Sequence, residues 1–193
     1  MSGGCYESSG KRYYRDARIY DPSTGKWRLT RSMMVPRCYH SFLKLSDGRV
    51  AAIGGMTASN TATNTVEIYD PSTGKWKVGS PMSSARAYAG AVVLNSGKVL
   101  VTGGTTGGNS GALDTTEIYD PTADVWLTGP TMANKRFKHS VAKLPASGNV
   151  YIVGGATNGS TYSATVDKFV PAGHTGTIVA VGSNALILSQ VHT

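Results

Sequence analysis

Hydrophobic positions along the chain fall in short runs that repeat at long intervals. Three tetrads, Val50–Ile53, Val99–Thr102 and Val150–Val153, are almost continuously apolar, the pattern of a strand covered on both faces. An apolar-rich segment precedes each one, at residues 39–45, 88–94 and 139–144. The links are Asp47-Gly48, Ser96-Gly97 and Ser147-Gly148, pairs suited to the positive φ of a hairpin turn. Each tetrad closes on Gly-Gly, at 54–55, 103–104 and 154–155, where crowded backbones leave no room for a Cβ. A polar loop of variable sequence comes next, and then an alternating strand such as Thr65-Val66-Glu67-Ile68-Tyr69. Asp-Pro turns the chain, Gly25 or Gly74 takes the left-handed position, and a short strand carries Trp. Each unit is thus predicted to be four strands, with no helix beyond a turn.

The units repeat in sequence as well as in pattern. Ile-Tyr-Asp-Pro-Ser-Thr-Gly-Lys-Trp at 19–27 recurs unchanged at 68–76 and in altered form at 118–126, a period of 49 and then 50 residues. Gly3-Gly4 extends the glycine series toward the N-terminus. An Arg a few residues after a Met recurs too, as Met34 and Arg37, Met82 and Arg86, and Met132 and Arg136. Three independent signals in one register define a repeat of about 50 residues, and Trp and Tyr carry more apolar area than one unit can cover, so units must stack side by side.

These residues, in this order and spacing, resemble the kelch repeat of β-propellers along nearly the whole chain. The resemblance implies an all-β ring of radially arranged four-stranded blades, the first strand of each innermost. It gives units at about 12–27, 37–76, 86–126 and 136–170, a C-terminal hairpin at 177–191 and a flexible segment at 1–11. Trp27, Trp76 and Trp126 are expected at equivalent buried places between blades. Phe169 replaces Tyr in the fourth unit, Val170-Pro171 replaces Asp-Pro and no Trp follows, so that blade is expected to lack its last strand. About 3.5–4 blades fall short of the roughly six or seven of a kelch ring. Either the chain is one piece of a longer propeller, or a second copy completes the ring as a homo-oligomer.

Composition narrows the class further. Twenty-four Gly, 40% hydrophobic and 16% charged residues argue against a coiled coil and against a charge-rich disordered chain. No apolar run approaches a membrane span, so no membrane insertion is expected, and 1–10 shows no secretory signal. Exported and intracellular settings both remain open. The formal charge is +8; residues 1–50 hold ten Lys/Arg against four Asp/Glu, and residues 51–193 nine against seven. The basic residues of the N-terminal part alternate along a strand pair and read first as a solvated face, which makes nucleic acid an unfavoured partner. Cys5 and Cys38 form neither a zinc ligand set nor a disulfide framework.

Catalytic signatures are sparse. No phosphate loop, H-E-x-x-H or G-x-S-x-G occurs, and the glycines from Gly103 to Gly111 read as a strand end and loop. His40 and His139 share one repeat position, with Ala89 in the other copy, and a structural hydrogen bond is the expected role. No cofactor is expected. The resemblance also brings in galactose-oxidase-like copper radical enzymes, whose inner-strand tyrosine position is matched by Tyr39 and Tyr88; Cys38 does not match the cysteine of their cross-link. The favoured function is a non-enzymatic recognition or scaffold module for a protein or glycan partner, and the net charge favours an anionic one. Its candidate surface combines loops 56–64, 105–114 and 156–164 with Arg37, Tyr39, Arg86, Tyr88, Arg136 and Lys138, and with Lys135 nearby. For the arginines the alternative is pairing with a carboxylate such as Glu67 or Glu117 to tie blades together.

Overall fold

The computed structural model describes residues 2–6, 12–57, 61–172 and 176–181. Among these there are strands and turns and no helix. The first sheet is β1 (Ser2–Tyr6), β2 (Arg12–Asp21) and β3 (Lys26–Leu29). The second is β4 (Ser41–Lys44), β5 (Val50–Ile53), β6 (Val66–Asp70) and β7 (Lys75–Gly79). The third starts with β8 (Gly90–Val93) and β9 (Val99–Thr102); a small hairpin, β10 (Thr105–Gly107) and β11 (Ser110–Ala112), follows in its loop before β12 (Thr116–Asp120) and β13 (Val125–Thr128). The fourth is β14 (Ser140–Lys143), β15 (Val150–Val153), β16 (Val166–Val170) and β17 (Thr177–Ala180). Each sheet is antiparallel with its strands in sequence order, the meander expected of a propeller blade.

Register repeats from blade to blade. Val50, Val99 and Val150 lie opposite Tyr69, Tyr119 and Phe169, and on the outer pair Tyr20, Tyr69 and Tyr119 lie opposite Trp27, Trp76 and Trp126. Tyr69 and Tyr119 therefore meet their Trp rings at centroid distances of 5.3 and 4.8 Å. The left-handed turn position is Gly at 25 and 74 and Asp at 124, with φ between 56° and 66°. Asp is among the few residues that accept this conformation at low cost, and here its carboxylate also takes hydrogen bonds from Tyr119 Oη at 2.6 Å and the Ser80 N–H at 2.9 Å.

The cores lie between blades. Ala17 and Met33 of the first blade meet Ala52, Tyr69 and Trp76 of the second. Ala51, Ile53, Val66 and Ile68, on the other side of the second sheet, meet Val99, Val101 and Tyr119, with Trp126 at the margin. Leu94, Leu100 and Ile118 then meet Val150 and Phe169. Each strand of a middle blade thus feeds two cores, which is why its second strand is apolar at successive positions. Trp76 and Trp126 each donate the indole N–H at 2.8 Å to a carbonyl of the incoming linker, that of Arg31 and of Ser80.

Three expectations need correction. Trp27 is 52% exposed, against 9% for Trp76, because among the described residues no blade packs on that face of the first sheet. Residues 2–6 of the segment expected to be flexible are strand β1, held where the Gly4 N–H donates to the Arg37 carbonyl at 2.8 Å. The fourth blade does not lack its outer strand: β17 pairs with β16, and Ile178 lies opposite Phe169 in the place Trp takes elsewhere. A longer connection through Pro171 replaces the Asp-Pro turn. The rest of the expected hairpin, 182–191, lies outside the described residues.

Trp76→Ala is expected to cost about 3–5 kcal/mol as a large buried-aromatic deletion. Trp27→Ala is expected to cost less than about 1 kcal/mol, as at a surface position. Urea midpoints at unchanged m-value measure both.

Candidate functional site

The repeat arginines lie inside the blades and not at the mouth between the loops. Arg37, Arg86 and Arg136 are 0–1% exposed. Nη1 of Arg37 donates to the Gly54 and Thr65 carbonyls at 2.6 and 3.0 Å, and Nη2 to Thr65 Oγ1 and Glu67 Oε1, both at 2.9 Å. Arg86 repeats this set with Gly103, Thr115 and Glu117, whose Oε1 is 2.6 Å away. Arg136 repeats it with Gly154, Thr165 and Asp167, at 3.2 Å in the last case. Burial pulls the guanidinium pKa down and the paired carboxylate opposes it. Burial pushes the Asp167 carboxyl up, against the pull of Arg136.

The carboxylates also secure the linker entering the blade. Glu67 accepts the N–H groups of Met34 and Val35 at 2.6 and 3.0 Å, and Glu117 those of Ser83 and Ser84. Each side-chain pair therefore joins strands and linker of a single blade. The tie between blades is made by the arginine main chain, since the Gly4, Gly55 and Gly104 N–H groups donate at 2.8–2.9 Å to the carbonyls of Arg37, Arg86 and Arg136 of the next blade. A Cβ on Gly3, Gly54 or Gly103 would collide with that same carbonyl. The arginines are accordingly removed from the set of partner-binding residues, because a partner cannot reach them.

The residue two positions after each arginine stays at the mouth. Tyr39, Tyr88 and Lys138 share a left-handed backbone, with φ of 56°, 53° and 56°, which is rare for bulky side chains. They form a ladder across three blades: the Tyr88 N–H donates to the Tyr39 carbonyl at 2.9 Å and the Lys138 N–H to the Tyr88 carbonyl at 3.0 Å. Above this backbone rail the two tyrosine rings stack at 4.2 Å, and Lys138 Nζ stands 4.9 Å from the Tyr88 ring centroid. Hydrogen bonds to Cys5 and then Tyr88 push the Tyr39 phenol up, so it remains protonated. Tyr39 and Lys138 are exposed, Tyr88 is half-buried, and Lys135 stands exposed on the neighbouring linker. Beneath them Cys38, Met56, Ala62 and Ala87 form a small apolar floor.

The histidines follow a pairing rule that sequence reading missed. His139 Nε2 is 2.8 Å from Thr102 Oγ1, and His40 Nε2 is 3.3 Å from Ser2 Oγ. Both hydroxyls come from the residue just before Gly-Gly of the preceding blade. In the remaining copy that residue is Ile53 and the histidine position is Ala89, so a polar pair and an apolar pair alternate at one place. Comparing both positions across the repeats together would have revealed it. Burial, then the neighbouring arginine, pushes each imidazole down to about 4. Among the described residues no three His, Cys, Asp or Glu side chains gather in a metal-binding group.

Arg86→Met leaves Glu117 buried without its cation and is expected to cost about 3–5 kcal/mol; Arg86→Met combined with Glu117→Gln should recover part of this in a double-mutant cycle by urea unfolding. The histidines give a pH dependence with a definite sign. Their folded pKa lies below the unfolded 6.5, so the unfolded chain binds protons that the folded one refuses. Stability from this source is constant above about pH 7 and falls between about pH 6.5 and 4, by up to ~3 kcal/mol per histidine. His40→Gln with His139→Gln should flatten that part of the stability profile.

The family model described as "Kelch motif" matches residues 45–83 and 85–133. No curated protein matches the chain at the sequence level. A solved structure described as "Structure of YjhT" superposes with a TM-score of 0.73 at 15% identity, covering 95% of this chain and 65% of that one. The shared architecture is thus that of the fold, and the chain spans about two thirds of that relative's length. The two central units are thus kelch motifs, the same register repeats on either side of them, and the chain as a whole is similar in fold to a kelch-type β-propeller.

Proposed function

We propose that this chain is a non-enzymatic recognition module that captures a protein or glycan partner on its loop face. The observation that carries the reading is the ladder of Tyr39, Tyr88 and Lys138, in which three bulky residues keep a strained backbone that glycine would adopt without cost. Backbone strain held at one repeated surface position points to a role for the side chains it presents. Around the ladder, loops 56–64, 105–114 and 156–164 differ while the scaffold repeats. They are rich in Ser, Thr, Asn and Gly, and Tyr162 stands 78% exposed on the last of them. Rigid aromatics among small, adaptable polar residues suit recognition. Lys135 and Lys138 flank this surface and Asp114 is the one acidic residue of the three loops, which supports an anionic partner. The groups best suited to acid–base chemistry are otherwise engaged: both repeat histidines bond hydroxyls, and Glu67, Glu117 and Asp167 hold arginines.

A copper radical oxidase is the second reading, and the contact of Tyr39 with Cys5 of the preceding blade is the observation in its favour. The two readings separate experimentally. For the recognition module, a partner selected on a glycan array or from a displayed peptide library should lose at least about tenfold in affinity with Tyr88→Gly, while the unfolding free energy changes by under about 1 kcal/mol, since glycine relieves the left-handed strain. Exchanging loop 105–114 should act alike, and affinity should fall from low to high salt. Copper loading that yields a tyrosyl radical signal and turnover of primary alcohols would instead establish the oxidase.

A further inference from the structure

The groove between the first and second blades carries a feature that its counterparts lack. It is a cavity of about 460 Å³ lined by Arg15, Arg31, Ser32, Met33, Met34, Lys75 and Trp76, large enough for a small ligand. Three of these residues are cationic and none is acidic. Arg15, Arg31 and Lys75 are exposed, and among the described residues none of the three is ion-paired.

The repeat supplies its own control. The carbonyl that accepts the N–H of Met33, Met82 or Met132 belongs to Arg15, Asn64 or Asp114. The position two before that Met is Arg31, Ser80 or Pro130, and the position before the Trp, or before Ile178 in its place, is Lys75, Val125 or Thr177. At these three equivalent positions the scaffold therefore holds three cations between blades one and two, no charge between two and three, and one carboxylate between three and four. A repeat needs no cation at these places to fold.

The cationic set is also held on a pinned backbone. The Arg31 carbonyl accepts the Trp76 indole N–H at 2.8 Å, the Arg15 carbonyl accepts the Met33 N–H at 2.9 Å, and the Met34 N–H donates to Glu67 Oε2 at 2.6 Å. Two guanidinium forks and an ammonium on such a frame match the oxygens of a tetrahedral anion. Met34, 59% exposed at the rim, offers an apolar contact to whatever carries that anion. We infer that this groove is a binding site for a phosphate or sulfate group, separate from the loop face and independent of the function proposed for it.

Calorimetric titration of the full chain at low ionic strength tests the inference with inorganic phosphate and phenyl phosphate as probes. Saturable one-site binding is expected, weakened at least about tenfold by Arg15→Gln with Arg31→Gln. Lys135→Gln with Lys138→Gln removes equal charge from the loop face and is expected to change affinity by less than about twofold, as screened long-range attraction does. Tighter binding of phenyl phosphate assigns the site to an organic ester resting on Met34, whereas equal affinities assign it to the free anion. No saturation with either probe at roughly 10 mM, a range that already admits very weak ligands, overturns the site. Equal losses in the two double variants also overturn it, by reducing the attraction to net charge.

Discussion

A buried guanidinium fixes the geometry of each blade, and most of the other features described here are placed by it. Arg37, Arg86 and Arg136 each join the end of the second strand, the start of the third and a carboxylate on the third, while the carboxylate holds the linker arriving from the previous blade. Such a pair contributes little net stability against its desolvation, and its removal on one side is what costs. Its value here is directional. The Nη1 and Nη2 donors of a rigid planar fork define where three separated segments must meet, and an apolar side chain of equal volume would remove those donors from the carbonyls. The same residue turns its own carbonyl outward onto the glycine pair of the neighbouring blade, so a constraint internal to one blade also sets the distance to the next.

The ladder of Tyr39, Tyr88 and Lys138 is a consequence of that placement. Once the arginine is anchored inside and its carbonyl faces the preceding blade, the chain has two residues in which to reverse toward the inner strand. It does so through a left-handed residue whose N–H bonds the equivalent residue one blade back. The rail of hydrogen bonds offsets the strain, and it lines up one side chain per blade at the mouth. The scaffold thereby determines where the side chains stand, and the sequence is left to choose which they are: Tyr, Tyr and Lys in this chain.

Departures between equivalent positions are informative for the same reason. Ser2 with His40 and Thr102 with His139 are polar pairs at a place where Ile53 with Ala89 are apolar. The hydroxyl partners the Nε2 side of each imidazole in the polar pairs, and the apolar pair leaves no polar group to partner at that place. Arg15, Arg31 and Lys75 are different, because the other copies place neutral residues or the carboxylate of Asp114 there and keep the same backbone bonds.

The sequence by itself determined whatever rests on local conformation and on pattern. Gly-Gly, Asp-Pro-x-x-Gly and Ser-Gly impose turns through φ alone, the apolar tetrads mark strands buried on both faces, and identical copies at one period require stacked, equivalent units. The resemblance to kelch repeats and the order of the blades followed from these. Tertiary structure decided what depends on neighbours in space. Trp27 has the same flanking sequence as Trp76, yet it is exposed because burial belongs to the adjacent blade. The pairing of Thr177–Ala180 with Val166–Val170 was hidden by the loss of both the Asp-Pro turn and the Trp. Whether the repeat arginines faced a partner or a carboxylate was undecided along the chain, since Arg37 and Glu67 lie thirty residues apart, and only the closing of the sheet brings the guanidinium within reach of its acid.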